Sequence, residues 1–169
     1  KHWKIFVKTI FLLKKEYPSL QVIVGKSSNV KIPTTDNSFK IEENAKKAII
    51  AADIAIVASG TATLECAIEK TPMVVCYKVS LLTWLLAKYM VKVKYFSIVN
   101  LIAEKKIVPE LLQSDMKPEN IKNKVIEIIN KKSNTYSQMK KDLEIVKNKL
   151  GIPGVYNKIA GEILKVTKS

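Results

Sequence analysis

The order of apolar and polar positions along the chain predicts strands that alternate with helices. Short continuous apolar runs, bounded by turn residues, are typical of strands that are covered on both faces. They predict strands at residues 20–25, 54–58, 73–79 and 94–100, with a further short one at 30–32. Apolar residues at helical spacing predict helices at residues 3–17, 41–52, 61–70, 80–91, 108–113, 117–132, 136–150 and 154–166.

This alternation predicts the fold class. Strands that are separated by helices form parallel sheets, so we expect an α/β fold with a Rossmann-like, doubly wound parallel sheet and a helical C-terminal segment. A length of 169 residues, 47 % apolar and 26 % charged, fits a single globular domain over residues 1–169. The first residues already follow a helical pattern, and we therefore expect the chain to be a piece of a longer protein.

The net charge of +14 adds a preference for anionic partners such as nucleotides, lipid headgroups or nucleic acid. All 29 basic side chains are lysines. Without arginine, the chain lacks the planar fork that reads guanine or phosphate through two parallel hydrogen bonds. The densest lysine stretch, residues 122–149, has the pattern of a solvated helical face.

Several kinds of catalytic site are excluded by residue type. The single histidine, His2, cannot supply a histidine-based metal site or a Ser-His-Asp triad. The two cysteines, Cys66 and Cys76, lie in a predicted helix and strand and read as small buried apolar residues of a reducing compartment. The chain contains neither GxxxxGK[ST] nor GxGxxG. We expect no metal and no cofactor.

One strand-to-helix turn has the chemistry of a phosphate site. The residues after the strand at 54–58 are small or hydroxylated, and Glu65 follows about one turn into the next helix. Ligands of open parallel sheets bind beyond the carboxyl ends of strands, and a helix N-terminus offers free N–H groups to phosphate. A carboxylate one turn farther on suits a ribose diol. The alternative is an ordinary turn with a capping hydroxyl. The residues in question are Ser59, Gly60, Thr61 and Thr63.

Further polar residues stand at predicted element ends. Tyr77 and Lys78 lie at the end of one predicted strand, and Asn100 follows another and is expected at the same edge of the sheet. Glu110 and Gln113 are three residues apart, which would place them on one face of a helix. Helix capping or surface position is the alternative for each of them.

Residues 58–113 closely resemble the C-terminal domain of lipid-A-disaccharide synthases, which form glycosyltransferase family 19. The family's runs S-G-T-x-T-L-E, T-P-M-V-V, Y-[RK]-V-S-x-L-T-W and V-P-E-L-L-Q occur here in the same order. The resemblance extends more weakly over the rest of the chain. It departs from the family at Lys78, where arginine is frequent, and at Leu81, where proline is frequent.

The resemblance implies an inverting hexosyltransferase of the two-domain GT-B fold, acting in lipid A biosynthesis. The family transfers 2,3-diacylglucosamine from UDP to 2,3-diacylglucosamine 1-phosphate (lipid X), which yields the β-1,6-linked disaccharide 1-phosphate. Its C-terminal domain holds UDP without a metal. On this basis Glu65 would bind the ribose. The residues implied for the diphosphate are Ser59, Gly60, Thr61 and Thr63, and those implied for the cleft and the donor are Lys78, Asn100, Glu110 and Gln113.

The resemblance also implies what the chain lacks. The acceptor domain and the catalytic base of the family lie N-terminal to the matching region, so we expect no catalytic residue in this chain and no activity of it alone. Its implied partners are the two lipid substrates, the N-terminal domain of the same enzyme, an anionic membrane surface and a second copy in a homodimer. The implied location is the cytoplasm, peripherally on the inner membrane of a Gram-negative bacterium.

Two other functions remain open from the residues. Another GT-B enzyme that uses a UDP-sugar, such as an epimerase or a different transferase, would share the helix terminus and the glutamate. A basic module that binds nucleic acid or an anionic membrane would account for the charge but not for the pattern of residues 59–65.

Overall fold

Parallel strands and helices alternate in the computed structural model, which describes residues 2–26, 39–58, 60–78, 94–130 and 134–151. The strands are Val22–Gly25 (β1), Phe39–Glu42 (β2), Ala55–Val57 (β3), Met73–Tyr77 (β4) and Glu110–Leu112 (β5). The helices are His2–Glu16 (α1), Ala45–Ala51 (α2), Gly60–Ile68 (α3), Ile98–Ala103 (α4), Pro118–Ile129 (α5) and Asn134–Lys149 (α6), with a short 3-10 helix at Gln113–Asp115.

The strands form two parallel sheets. β1 pairs with β2, and β3, β4 and β5 form a second sheet in that order. Val75 of β4 lies opposite Val57 of β3 on one side and Glu110 of β5 on the other. The carboxyl ends of β3, β4 and β5 therefore meet at one edge of this sheet. The α/β fold class with a Rossmann-like parallel sheet is confirmed.

β4 is the most deeply buried strand. Its apolar residues from Met73 to Cys76 have no exposed surface. Helix α3 contacts β3 and β4, and α5 contacts β4. Because helices cover this strand and it has a neighbour on each side, every one of its positions must be apolar, which explains the unbroken run in the sequence.

The helices pack in two groups. α1 packs against α5, whose Ile121 and Val125 are buried, and α1 contributes the buried Leu13 and Thr9. The hydroxyl of Thr9 donates a hydrogen bond to the Ile5 carbonyl oxygen at 2.9 Å, so burying it leaves no polar group unpaired. The second group comprises α3, α4 and α6, which contact one another.

The helix predicted at residues 41–52 is correct only in its second half. Its first residues belong to β2, which pairs with β1, and the helix begins after Asn44. The side-chain oxygen of Asn44 accepts a hydrogen bond from the Lys47 N–H at 3.2 Å. This N-cap ends the strand and starts the helix, a boundary that apolar spacing alone does not reveal.

The strand predicted at residues 94–100 is wrong. This segment leads instead into α4, and Ser97 is its N-cap, with the hydroxyl oxygen accepting from the Asn100 N–H at 3.2 Å. A short apolar run fits a strand or a buried helix equally well, and here the cap and the packing of α4 on α3 decide for the helix.

The helix predicted at residues 108–113 is also wrong. The Val75 N–H donates to the Pro109 carbonyl oxygen at 3.0 Å, and residues Glu110–Leu112 continue as β5 alongside β4. Gln113 then begins the 3-10 helix with a positive φ of 45°. Glu110 and Gln113 therefore do not share a helical face. Residues Glu110–Leu112 form a strand because they pair with the free edge of β4, and the spacing of apolar residues along the chain cannot reveal that partner.

The remaining predicted elements within the described residues are confirmed with small shifts of their ends. They are β1, β3 and β4, and the helices α1, α3, α5 and α6. Gly151, just after α6, has a φ of +83°, a conformation that glycine adopts without strain. The elements predicted at residues 30–32, 80–91 and 154–166 lie outside the described residues.

We expect the core to tolerate truncation of Leu143 poorly. This α6 side chain is fully buried, whereas Ile145 on the same helix is 52 % exposed. Leu143→Ala should lower the free energy of unfolding by about 2–5 kcal/mol, because it removes buried apolar contacts and leaves a cavity. Ile145→Ala should change it by less than about 0.5 kcal/mol. Urea titration of both variants measures the difference, and equal losses would contradict the packing described here.

The two cysteines should be inert in the folded protein. Burial raises the pKa of the Cys66 thiol to about 12, with a smaller contribution from Glu65, and burial raises that of Cys76 to about 12. At pH 8 only ~1 in 10,000 of such thiols is ionised, and the thiolate is the reactive form. We expect both to react with a disulfide reagent only after unfolding in denaturant. Rapid reaction of either in the native state would refute this.

Candidate functional site

The carboxyl edge of the β3-β4-β5 sheet gathers most of the polar residues that the sequence singled out. β3 leads into α3 at Gly60, β4 ends at Tyr77 and is followed by Lys78, and β5 ends just before Gln113. This is the edge at which open parallel sheets bind their ligands. Ser59 lies outside the described residues.

Helix α3 starts at this edge and presents two side chains to solvent. Thr61 and Glu65 are exposed, one turn apart on the helix. Among the described residues, no hydrogen bond or ion pair involves the Glu65 carboxylate. The first N–H groups of α3 have no helical partner and carry a partial positive charge. A ligand with an anionic part and a diol would find complementary groups along this one turn.

Thr63 has a different environment. It has no exposed surface, and its hydroxyl donates a hydrogen bond to the Gly60 carbonyl oxygen at 2.6 Å. The hydroxyl therefore satisfies the backbone of the first turn of α3 and faces the core. Direct contact between Thr63 and a diphosphate, as the sequence predicted, is not supported by this arrangement.

Gly60 lies against two side chains that the sequence did not place in the site. A Cβ atom added to Gly60 would lie 3.3 Å from the Tyr77 hydroxyl oxygen and 3.5 Å from Cδ1 of Ile98. Both distances leave room for a glycine and little for a larger residue. The Tyr77 phenol and Ile98, the first residue of α4, therefore lie directly beside the start of α3.

Tyr77 keeps its proton in this position. Burial raises the pKa of its phenol above the ordinary value, and the nearby Glu110 carboxylate raises it further. In the sheet register, Tyr77 lies two residues beyond the residue that faces Glu110, so the two side chains are on the same side of neighbouring strands. A phenol that stays neutral can donate a hydrogen bond to an anionic ligand.

Asn100 is fully buried and its amide is saturated. Its oxygen accepts hydrogen bonds from the backbone N–H groups of Ile107 and Val108, at 2.8 and 3.0 Å. Its nitrogen donates to the Val108 carbonyl oxygen at 2.9 Å and to Oε1 of Glu110 at 2.8 Å. Since an amide side chain makes at most four such bonds, none remains for a ligand.

Glu110 belongs to the same network. Besides Asn100, the backbone N–H of Ser97 donates to its Oε1 at 2.7 Å, and that of Phe96 lies 3.2 Å from both carboxylate oxygens. Donors on the segment before α4 thus surround a carboxylate that begins β5. Asn100 and Glu110, which the sequence predicted as cleft residues, are brought together in the structure but by pairing with each other and with the backbone.

Lys78 and His2 are electrostatic neighbours. Burial lowers the pKa of His2, and nearby positive charges, including that of Lys78, lower it further. The imidazole Nε2 is buried without a hydrogen-bond partner among the described residues. No pattern in the sequence pointed to an interaction between His2 and Lys78, because the two residues are far apart along the chain.

Two kinds of feature are absent from the described ranges. No three side chains of the metal-binding types converge there. No helix there combines the length and the apolar content that a membrane span requires.

Comparison with known proteins extends what the geometry suggests. The profile of the lipid-A-disaccharide synthetase family matches residues 1–155. The chain is similar to lipid-A-disaccharide synthases from Haemophilus influenzae strain PittGG (41 % identity over 71 % of this chain and 33 % of the relative) and Actinobacillus pleuropneumoniae serotype 5b (40 % over 69 % and 32 %). A synthase from a Sulfurihydrogenibium species is 38 % identical over 85 % of this chain and 35 % of its own length.

The matched regions cover similar shares of the three relatives. The chain spans about a third of the length of the relatives it matches, and the profile match covers all of the described strands and helices. Residues 58–113, which carry the family's sequence motifs, include the start of α3, Tyr77 and the Asn100–Glu110 network. The chain belongs to the lipid-A-disaccharide synthetase family.

Proposed function

We propose that this chain is the UDP-binding part of an inverting glycosyltransferase of lipid A biosynthesis. The enzyme would transfer 2,3-diacylglucosamine from UDP to 2,3-diacylglucosamine 1-phosphate and form the β-1,6-linked disaccharide 1-phosphate. The observation that supports it most is the start of α3 at Gly60, at the carboxyl edge of the parallel sheet, with Glu65 about one turn into that helix. Membership of the lipid-A-disaccharide synthetase family supports the proposal of this donor.

The diphosphate would lie at the start of α3. Gly60 lets the phosphate oxygens approach the backbone, and the first N–H groups of the helix, with Ser59 and Thr61, would donate hydrogen bonds to them. Lys78, which is exposed after β4, would add a positive charge beside the leaving UDP. Thr63 would support this turn from the core through its hydrogen bond to Gly60.

Glu65 would bind the ribose. A carboxylate accepts two hydrogen bonds at once, which matches the paired hydroxyls of a ribose, and its distance of about one turn from the start of α3 separates it from the phosphates. In this reading the site needs no metal, since the helix terminus and Lys78 compensate the charge of the diphosphate. Gln113, after β5, would face the cleft from the other side of β4.

Transfer itself would require groups from outside this chain. Inverting transfer needs a base that removes the proton from the acceptor hydroxyl as it attacks the anomeric carbon. We place that base, and the surface for the acyl chains, in an N-terminal acceptor domain of the same enzyme. The net charge of +14 would favour a peripheral position on an anionic membrane, where the lipid substrates reside. A homodimer is compatible with this arrangement.

Removal of the Glu65 carboxylate should weaken nucleotide binding through the ribose. We expect Glu65→Ala to lower UDP affinity by about 1.5–3 kcal/mol, or roughly tenfold to 100-fold, because a charged hydrogen-bond acceptor is lost. The same variant should lose the preference for UDP over 2′-deoxy-UDP. Isothermal titration calorimetry with both nucleotides measures this.

Glu69 provides the matched control for Glu65. It follows the end of α3 and forms an ion pair with Lys46 at 3.3 Å. Glu69→Ala should leave the affinities for UDP and 2′-deoxy-UDP unchanged. If Glu65→Ala folds normally and binds both nucleotides as the unchanged chain does, Glu65 has no role at the ribose.

The 169-residue chain should bind UDP weakly and should not form the disaccharide. Without a general base and an acceptor surface, only part of the transition state is stabilised. The measurement is incubation of the chain with UDP-2,3-diacylglucosamine and lipid X, followed by mass spectrometry of the lipid products. Detection of disaccharide 1-phosphate above a protein-free control would refute the division of roles proposed here.

A further inference from the structure

Asn100 occupies a position that a ligand-binding amide could not. It has no exposed surface, and all four of its hydrogen-bonding positions are used within the protein. The orientation of the amide is determined by these partners, since two N–H donors face its oxygen and two oxygen acceptors face its nitrogen. Any effect of Asn100 on a ligand must therefore pass through the groups that it holds.

Those groups connect two separate segments. Three of the four hydrogen bonds hold the backbone at Ile107 and Val108, just before β5. The fourth holds the Glu110 carboxylate, which also accepts from the N–H groups of Phe96 and Ser97. The start of β5 is thereby tied to the start of α4 by buried bonds, which are strong and costly to leave unpaired.

The start of α4 also lies directly beside the candidate site. Ile98, its first residue, approaches Gly60 together with the Tyr77 hydroxyl. Glu110 lies on the same side of the sheet as Tyr77 and is close enough to raise the pKa of that phenol. Hydrogen bonds therefore lead from Asn100 through Glu110 to the residues just before Ile98, and Tyr77 lies diagonally across the sheet from Glu110.

We propose that Asn100 is a positioning residue of the nucleotide site, which acts through Glu110 to hold Ile98 and Tyr77 against Gly60. This inference rests on the proposed function, in which the turn at Gly60 receives the diphosphate. It assigns Asn100 no contact with substrate. Glu110 links Asn100 to the start of α4 and lies near Tyr77. Tyr77 is the side chain that would face the nucleotide.

The first test observes Tyr77 without any ligand. The chain is labelled with [13C]tyrosine at the ring carbon that bears the hydroxyl, and the Tyr77 resonance is identified by its loss in Tyr77→Phe. Asn100→Asp puts a second carboxylate against Glu110, and Glu110→Gln removes the charge. Both should shift the Tyr77 resonance. Asn120→Asp should not, since the Asn120 amide nitrogen, within the part of the chain that the structure describes, donates to the Asp115 carbonyl oxygen on the surface and is remote in sequence from Tyr77.

The second test measures nucleotide affinity by calorimetry. Asn100→Asp and Glu110→Gln should each weaken UDP binding by about tenfold or more, and the double variant should bind about as weakly as either single variant, because both changes break one connection. Affinity for uridine, which lacks the phosphates, should be unchanged. Leu143→Ala controls for lost stability: it should leave UDP affinity and the Tyr77 resonance unchanged.

Each outcome bears on the inference. Unchanged UDP affinity in both single variants, or a Tyr77 resonance that does not move, overturns it. Losses that multiply in the double variant overturn it in favour of direct contact by Asn100. If Asn100→Asp does not fold, Glu110→Gln decides alone. If the unchanged chain does not bind UDP at all, the proposed function fails, and the Tyr77 resonance still decides whether the network positions that side chain.

Discussion

The pairing of β4 with a parallel neighbour on each side is the constraint on which the described fold depends. Its residues Met73–Cys76 have no exposed surface, so the strand requires a partner at both edges and helices over its faces. β3 satisfies one edge and β5 the other. Because all three run in the same direction, their carboxyl ends coincide at one edge, where α3 follows β3 and the 3-10 helix follows β5. The candidate site is a consequence of that arrangement.

The candidate site lies between the start of α3 and the start of α4. Gly60 lets the Tyr77 hydroxyl and Cδ1 of Ile98 approach the start of α3 closely, and the Thr63 hydroxyl binds the Gly60 carbonyl oxygen from within the core. Opposite them, the Asn100–Glu110 network holds the start of α4 in place. Buried hydrogen bonds suit this second role, since leaving any of their groups unpaired would cost free energy. Glu65, about one turn into α3, is exposed and makes no hydrogen bond to this network among the described residues.

The longest helices and the central strand were predictable because their patterns of apolar residues fit only one kind of secondary structure. α1, α5 and α6 have long apolar stripes at helical spacing, and β4 has an unbroken apolar run. The strand predicted at residues 94–100 and the helix predicted at 108–113 were wrong, because these apolar runs are short and fit either structure. Asn100 and Glu110 were singled out from their positions in the chain, but their pairing was not foreseen. Burial and hydrogen-bond partners are properties of the assembled fold.

The sequence by itself determined the alternation of strands and helices, the passage from β3 into α3 and the family to which the chain belongs, since these follow from local composition and from residues in a fixed order. Only the tertiary structure decided that residues Glu110–Leu112 form a strand, that Thr63 faces the core and that Tyr77 stands beside Gly60. The physical reason is that each of these depends on a partner distant in the chain. β5 needs the free edge of β4, and the environment of Tyr77 is set by Glu110 on the neighbouring strand.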